Sequence, residues 1–250
     1  MTVHVAQTAR SLPAPLVVIY HAGASKSVLE AWPEATIVSE SHPGFKNWYT
    51  HLGADGLASL DEILAQAGLT QADVSHIVLV GFSEGCQGVR TQMLAGVVPS
   101  AVLAVDGIHT RPEAWADVIA RARAGEAAAT VTHSSIQPGT YKSTTQIAAE
   151  LIAPATEQPV ENDGQPYPMI GLYQDGLFRV AGFAGADAPA HVYQGNVVLP
   201  RELAIIRDEL AGVAAPTPWG ASSSGSSPWL VPVIAAATVG ALWWVLRRKR

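Results

Sequence analysis

A serine between two glycines, placed directly after an apolar run, is the feature of this sequence with the clearest chemical use. Ser83 is the centre of residues 81–85 (GFSEG), which follow the apolar residues 76–80 (HIVLV) and precede a segment with helical spacing. Such a turn between a strand and a helix projects a serine hydroxyl from the sheet edge, because the glycines leave room for a tight bend. The pattern predicts that Ser83 is a nucleophile, and a helix-capping serine in a glycine-rich turn is the structural alternative.

The elements that must position Ser83 alternate along the chain between short apolar runs and segments with helical spacing. This alternation predicts an α/β fold, with a mostly parallel sheet of about six strands and helices on both faces. The predicted strands are residues 15–20, 35–39, 76–80, 101–105, 129–133 and 176–181. The predicted helices are residues 56–67, 85–95, 112–124, 144–152 and 200–210. Residues 157–168 (EQPVENDGQPYP) are polar and proline-rich, which indicates an irregular loop that forms a lid or faces a substrate.

In this order of elements and in the Gly-x-Ser-x-Gly turn, the chain resembles the α/β-hydrolase superfamily, which includes serine esterases and lipases. The resemblance extends over roughly residues 13–212 and implies a shortened fold that lacks the first two strands of the family. It also implies that residues 15–20, 76–80 and 176–181 correspond to the third, fifth and eighth strands. In that family the nucleophile follows the fifth strand, an acid follows the sixth or seventh, and a histidine follows the eighth.

The resemblance implies that His191 is the catalytic base. A serine hydroxyl is a weak nucleophile near neutral pH, so it needs a base within hydrogen-bond reach, and that base needs a carboxylate to orient it. His191 follows the last predicted strand and precedes the final helix, where the family has its histidine. His133, at the end of the strand 129–133, is a rival base or a contact to the substrate, and His109 is a second rival.

The orienting acid is assigned to Asp106, which directly follows the strand 101–105 and therefore lies at the same sheet edge as Ser83. The resemblance makes this the less usual of two arrangements, because the acid more often follows the seventh strand. At that place the chain has residues 133–135 (HSS) and no carboxylate. Asp187, which precedes the predicted base by four residues, and Asp163, in the irregular loop, are the alternatives.

Acyl transfer also requires donors for the oxyanion that develops on the substrate. The resemblance assigns this role to the backbone N–H of Glu84 and to an N–H of Ala22 or Gly23 in the loop after residues 15–20. That loop begins with His21 and reads HAGAS, which is similar to the His-Gly oxyanion loop of the family but departs from its HGGG form.

Composition argues against several other classes of protein. Acidic residues outnumber basic ones by 21 to 15, a net charge of −6, so no nucleic-acid partner is predicted. The single cysteine, Cys86, excludes an intramolecular disulfide and a multi-cysteine zinc site, and we expect it to pack on the helix after the turn. The segment around Ser83 lacks the glycine spacing of a dinucleotide-binding loop and the lysine of a phosphate loop. No nicotinamide or nucleotide cofactor is therefore predicted.

A metal centre is the competing chemistry. His109, His133 and His191 together with Asp106 could meet at one sheet edge as nitrogen and oxygen ligands. No closely spaced pair of ligands in the sequence favours such a site, so no metal is predicted.

The last part of the chain has the pattern of a membrane anchor. Residues 229–246 are 18 residues without a charge, they include tryptophans near both ends, and residues 247–250 (RRKR) follow them. This pattern predicts a transmembrane helix with a basic tail. Residues 214–228 are rich in proline, glycine and serine, as in a flexible linker, which leaves residues 1–213 as the α/β-hydrolase-like domain.

The sequence therefore favours a serine hydrolase, held at a membrane by a single-pass C-terminal anchor, that cleaves a carboxylic ester or a related acyl bond. Its predicted partners are a small-molecule or lipid-like acyl substrate and the membrane. The alternative is a catalytically inactive scaffold of the same fold that binds a protein or a cell envelope.

Overall fold

Strands and helices alternate through most of the chain in the computed structural model, which describes residues 3–41, 48–53 and 55–213. The strands are β1 (Val3–Gln7), β2 (Ala14–Tyr20), β3 (Thr36–Glu40), β4 (Val74–Phe82), β5 (Ala101–Val105), β6 (Ala128–His133), β7 (Gln158–Pro159), β8 (Met169–Asp175) and β9 (Phe178–Phe183). The α-helices are α1 (Lys26–Ala31), α2 (Leu60–Ala67), α3 (Gly85–Leu94), α4 (Ala116–Arg123), α5 (Thr144–Ile152), α6 (Ala188–Tyr193) and α7 (Leu199–Leu210).

The strands form one sheet in the order β1-β3-β2-β4-β5-β6-β9-β8-β7. Six neighbouring strands run parallel to one another, namely β3, β2, β4, β5, β6 and β9. At one edge β1 pairs antiparallel with β3, and near the other edge β8 pairs antiparallel with β9. Because the carboxyl ends of parallel strands meet at one edge of a sheet, the residues that follow β2, β4, β5, β6 and β9 all lie there. Sites in open α/β sheets form at this edge.

Helices cover both faces of the sheet and bury its central strands. On one face, α1 and α7 pack against alternate residues of β2, β4 and β5, with Leu203 and Ile206 fully buried against Val17 and Leu103. On the other face, α3 approaches β2 so closely that a side chain at Gly88 would meet the Tyr20 ring. Burial on both sides explains why these strands are continuous apolar runs.

The sequence predicted the mostly parallel sheet but missed three of its strands. The described residues form nine strands, and about six were predicted. β1 and β8 are only partly buried, so their sequences lack the long apolar runs of the central strands. β7 is a two-residue edge pairing within the segment assigned to an irregular loop. The strand predicted at 176–181 begins later, at Phe178, because Gly176 has a φ of 60° and belongs to the turn between β8 and β9.

Several helix boundaries follow from capping side chains. The helix predicted to begin at residue 56 begins at Leu60, because the Ser59 side chain accepts the N–H of Glu62 and the Glu62 carboxylate accepts the N–H of Ser59. Gly68 ends that helix with a φ of 68°, a conformation that glycine adopts without steric cost. Helix α5 has the same boundaries as predicted, and its capping residue is Ser143. The short helices α1 and α6 were not predicted.

The predicted linker (214–228), transmembrane helix (229–246) and basic tail (247–250) lie outside the described residues. Within residues 3–41, 48–53 and 55–213, no helix combines the length and the apolar character that a bilayer crossing requires.

Glu40, the last residue of β3, is a carboxylate in the interior of the protein. It is 4% exposed, and its Oε1 atom accepts the N–H of Ala58 at 3.0 Å. Its Oε2 atom is buried and has no hydrogen-bond partner within the described part of the chain. Burial raises the pKa of Glu40 from 4.5 to about 7, since a low-dielectric surrounding disfavours the charged form.

This raised pKa predicts that part of the folding stability is lost as the pH rises. The folded chain holds a proton on Glu40 between pH 4.5 and about 7 that the unfolded chain has released, so stability is complete below this window. We expect wild type to lose up to about 3 kcal/mol relative to Glu40→Gln between pH 4.5 and pH 8. Urea denaturation followed by circular dichroism at several pH values measures this, and parallel pH profiles for the two proteins would contradict it.

Candidate active site

Ser83 lies in a tight turn between β4 and α3, at the carboxyl edge of the sheet. Its φ is 54°, in the left-handed region that non-glycine residues rarely adopt. Two backbone hydrogen bonds hold the turn, from the N–H of Ser83 to the carbonyl of Val105 at 2.9 Å and from the N–H of Cys86 to the carbonyl of Ser83 at 3.1 Å. A strained residue held in this way is a common feature of reactive sites.

Glycines surround this turn at places where no larger residue fits. A Cβ atom at Gly85 would lie 2.1 Å from the carbonyl oxygen of Tyr20, and one at Gly81 would lie 2.6 Å from the Cα of Cys86. A Cβ at Gly107, which follows β5, would lie 2.0 Å from the carbonyl oxygen of Ser83. The glycines therefore let the end of β2 and the residue at 107 approach the turn closely, and they let β4 and the start of α3 pack against each other.

These contacts predict that Gly107→Ala destabilises the protein by about 2–3 kcal/mol, the scale of overpacking against a backbone that cannot move away. Gly212→Ala is the matched control, because the nearest atom to its added Cβ would be at 3.7 Å, an ordinary van der Waals distance. Thermal unfolding measures both variants. An unfolding temperature for Gly107→Ala equal to that of the control would show that the turn is less constrained than described.

His191 and Asp106 are joined by a hydrogen bond although 85 residues separate them in the chain. Nδ1 of His191, which lies in α6, is 2.8 Å from Oδ2 of Asp106. Because an ionised carboxylate only accepts hydrogen bonds, Nδ1 carries the proton and the Nε2 atom of a neutral ring has a free lone pair. An imidazole with this tautomer can take a proton from a hydroxyl group.

Asp106 is held by several donors in addition to His191. It is fully buried and follows β5 with a φ of 46°. Ser134 donates its N–H to Oδ1 at 2.8 Å and its hydroxyl to Oδ2 at 2.7 Å, and the hydroxyl of Thr144 lies 2.6 Å from Oδ1. Burial by itself would raise the pKa of Asp106, but the hydrogen bonds from His191, Thr144 and Ser134 outweigh it and keep the pKa below its ordinary value. The carboxylate is therefore ionised and fixed in orientation.

Aromatic packing restricts the ring of His191. The Phe82 ring is stacked on it, with ring centroids 4.7 Å apart and an angle of 25° between the planes. Phe82 immediately precedes Ser83, so the same turn that positions the serine also supports the imidazole. The sequence contains no sign of this contact, because Phe82 occupies the variable position of the Gly-x-Ser-x-Gly pattern.

Ser83, Glu84 and His191 line one cavity of about 390 Å³. This volume is within the range of small-molecule sites in proteins. Its wall also includes an apolar group of residues: Ile108, Trp115, Ile136, Pro138 and Tyr141. The cavity can therefore hold a molecule with an apolar part next to the serine.

The predicted oxyanion donors differ in their surroundings. Glu84 directly precedes α3, and burial raises the pKa of its carboxyl group. The N–H of His21 donates to the carbonyl of Glu40 at 3.1 Å, so this N–H is already engaged. Ala22 and Gly23 remain as candidates in the loop after β2, although this loop does not contribute to the wall of the described cavity.

The ring of His21 lies close to that of His191. The rings of His21 and Phe82 are stacked with centroids 6.4 Å apart, and Phe82 in turn contacts His191. Nδ1 of His21 is 3.3 Å from the hydroxyl of Tyr49. Burial, and secondarily the nearby His191, lowers the pKa of His21, so its ring stays neutral over a wider pH range than an exposed histidine.

The structure does not bring His133 to the serine as a rival base or a contact to the substrate. His133 is buried at the end of β6, where Nε2 is 2.6 Å from Oε1 of Glu157 and Nδ1 is 3.0 Å from the hydroxyl of Thr145. Side chains of adjacent strand residues point to opposite faces, so His133 faces away while Ser134 contacts Asp106. Glu157 lies in the segment predicted to form a lid or to face a substrate, and no residue of 157–168 lines the cavity.

The other rival residues have separate contacts. His109 lines the cavity, and its Nδ1 atom donates to the carbonyl of Lys142 at 3.0 Å. Asp187 accepts the N–H of Ala190 and caps α6, and Asp163 accepts the N–H of Gln165. Among the described residues, no three histidine, cysteine or acidic side chains form a group that could hold a metal ion.

Cys86 is packed in the interior, as the sequence predicted. It is buried on the first turn of α3, and its thiol donates to the carbonyl of Gly81 at 3.2 Å. Burial raises the pKa of the thiol, so Cys86 is protonated at neutral pH and is a poor nucleophile.

No protein-family model and no curated protein matches the sequence. The chain is similar to the solved structure of Est1E from Butyrivibrio proteoclasticus, with 9% identity, a TM-score of 0.42, and coverage of 81% of this chain and 90% of that chain. It is also similar to a cold-adapted esterase from an Arctic intertidal metagenomic library, with 11% identity, a TM-score of 0.37, and coverage of 79% and 84%. A third similar structure is YbtT, a type II thioesterase from the yersiniabactin NRPS/PKS biosynthetic pathway, with 13% identity, a TM-score of 0.36, and coverage of 83% and 98%. At these identities and TM-scores, none of the three identifies the family or the substrate of this chain.

Proposed function

We propose that this protein is a serine hydrolase that cleaves a carboxylic ester or a related acyl bond through an acyl-enzyme. Ser83 is the nucleophile, His191 is the general base and acid, and Asp106 orients His191. The observation that carries the proposal is the hydrogen bond between His191 and the buried Asp106 in a site whose cavity is also lined by Ser83.

The hydrogen bond between His191 and Asp106 fits the proton transfers that this chemistry requires. In the first half-reaction, Nε2 of His191 takes the hydroxyl proton of Ser83 while the oxygen attacks the acyl carbon. The resulting imidazolium is stabilised by Asp106, and it then gives its proton to the leaving alcohol as the acyl–oxygen bond breaks. In the second half-reaction, water attacks the acyl-serine in the same way and releases the acid.

The N-terminal end of α3 supports the developing oxyanion. The backbone N–H of Glu84 is the first donor after the nucleophile, and the positive end of the helix dipole lies at the same place. The proposal adds the N–H of Ala22 or Gly23 as the second donor, since the N–H of His21 is engaged with Glu40. For Ala22 or Gly23 to serve, the loop after β2 must approach the bound substrate.

The proposed substrate is a small or lipid-like molecule with an apolar acyl part. The apolar residues in the cavity wall, among them Trp115 and Ile108, favour such a group over a polar one. The proposal also places the catalytic domain at a membrane, tethered through residues 229–246, and this part is supported by the sequence pattern alone.

Pre-steady-state hydrolysis of p-nitrophenyl butyrate by the full chain in a non-ionic detergent tests the proposed reaction. When the acyl-enzyme forms faster than it hydrolyses, its formation releases a burst of about one equivalent of p-nitrophenol per protein before the steady state. A burst that is present in wild type and missing in Ser83→Ala is the expected result. A folded wild-type protein without turnover would contradict the proposal and favour the inactive scaffold.

A further inference from the structure

The wall of the candidate active site contains a cation, Arg90, that forms no ion pair within the described part of the chain. Arg90, on α3, lines the cavity together with Ser83. Its side chain is half-buried, and its Nε atom is buried without an acceptor in the described part of the chain. The one hydrogen bond of its guanidinium among the described residues runs from Nη1 to the hydroxyl of Thr110 at 3.4 Å, which is long for such a contact.

Arg90 forms no ion pair with a side-chain carboxylate of the described residues. Two carboxylates are nearby without pairing with it: Glu84 lines the same cavity, and Glu113 lies near enough to raise the pKa of Arg90. The residues outside the described ranges include no aspartate or glutamate. A half-buried charge without a counter-ion is costly, so in an acidic chain its presence points to an external partner.

Arg90 and the reacting serine line the same cavity, so a partner of Arg90 would lie near Ser83. Gln87 and Arg90 are spaced i, i+3 on α3 and therefore lie on one side of the helix, Ser83 lies in the turn that precedes the helix, and all three line the cavity. A substrate whose acyl carbon is at Ser83 and which extends along α3 toward its C-terminal end meets the Gln87 amide first and the guanidinium next. Apolar residues line the same cavity, so it offers contacts to both a charged and an apolar part of a substrate.

We propose that Arg90 binds an anionic oxygen group of the substrate, a carboxylate or a phosphate, so that the preferred esters are negatively charged. A guanidinium presents several N–H donors in a fixed plane, which suits such a group better than a neutral one. This inference rests on the proposed hydrolase function, because it assumes that the cavity beside Ser83 holds the substrate. It names the substrate class that the apolar lining alone does not give.

The kinetic test uses two esters that differ only in charge, p-nitrophenyl hydrogen adipate and the same compound with its free carboxylate methylated. We expect wild type to have a higher kcat/KM for the charged ester, and Arg90→Met to lose that preference by at least about tenfold, the scale of a charge-assisted hydrogen bond. Arg90→Lys keeps part of the preference, and in both variants kcat/KM for the methylated ester falls less than kcat/KM for the charged ester.

Arg111→Met is the matched control, because Arg111 is an exposed arginine close enough to lower the pKa of Arg90 but is not part of the cavity wall. It should leave the preference for the charged ester as in wild type. Equal kcat/KM of wild type for the two esters, or an equal loss for both esters in Arg90→Met, would overturn the inference.

A binding measurement separates this inference from the proposed reaction. Calorimetric titration of Ser83→Ala with hexanoate, hexyl phosphate and neutral hexanamide at one ionic strength requires no catalysis. We expect at least one anion to bind about tenfold more tightly than hexanamide, and this difference to vanish when Arg90→Met is added. Tighter binding of hexanoate assigns carboxylates and tighter binding of hexyl phosphate assigns phosphates, whereas equal affinity for all three overturns the anion site even if wild type hydrolyses esters.

Discussion

Replacing Ser83 by alanine is expected to lower kcat/KM for ester hydrolysis by at least about 10⁴-fold, because the acyl-enzyme can no longer form. The residual rate comes from the oxyanion donors and from substrate binding, which the substitution leaves in place. Hydrolysis of p-nitrophenyl butyrate under steady-state conditions measures the change. The protein should stay folded, since alanine removes only the hydroxyl group.

Ser135→Ala is the control for this prediction. Ser135 is exposed beyond the end of β6 and does not line the cavity, so its removal should change kcat/KM by less than about twofold. A Ser83→Ala protein that retains more than about a tenth of the wild-type rate would exclude Ser83 as the nucleophile, since the loss expected of one is far larger.

The second large effect is expected for Asp106→Asn, which should lower kcat by about 10³–10⁴-fold. The asparagine oxygen can still accept the N–H of Ser134 at the Oδ1 position. Its amide group then occupies the Oδ2 position and presents a donor to Nδ1 of His191. The ring must therefore carry its proton on Nε2, where it cannot take the proton of Ser83.

Asp187→Asn is the matched control, because Asp187 is the nearest alternative acid in the sequence and caps α6, the helix that carries His191. Asparagine caps helices as well as aspartate does, so this variant should retain activity and fold. Steady-state kinetics together with circular dichroism tests both variants. If Asp187→Asn loses activity and Asp106→Asn does not, the acid has been assigned to the wrong residue.

The central strands could be predicted from the sequence because both of their faces are buried. Burial makes β5 and the middle of β4 uninterrupted apolar runs, and β5 has the same boundaries as predicted. The partly exposed β1 and β8 carry polar residues, and nothing in their local sequence distinguishes them from loops. Their strand conformation depends on pairing with β3 and β9, which a local pattern does not record.

The pairing of His191 with Asp106 could be predicted because it depends on the order of elements. Once the strands are parallel, the residues after β5 and β9 lie at one edge whatever the distance along the chain. The catalytic roles of these residues stay predictions. The donors that hold Asp106 could not be predicted, because Ser134 and Thr144 reach it only through the packing of the start of α5 against the end of β6.

His133 shows where reasoning from element order fails. His133 is the last residue of β6 and lies at the carboxyl edge of the sheet, where Asp106 also lies. Because side chains alternate along a strand, the side chain of His133 points toward Glu157 and not into the cavity. Strand phase at this edge depends on the exact end of the strand. A shift of one residue changes which side chain enters the site, and sequence patterns do not give strand ends with that accuracy.

Labelling with a fluorophosphonate tests the central claim most directly, because this reagent reacts with serine hydroxyls that a neighbouring base has activated. The experiment compares the full wild-type chain with Ser83→Ala and His191→Ala and locates the adduct by peptide mass spectrometry. The account predicts a single adduct on Ser83 in wild type and no labelling in either variant. A folded wild-type protein that remains unlabelled, or an adduct on another residue, would contradict it.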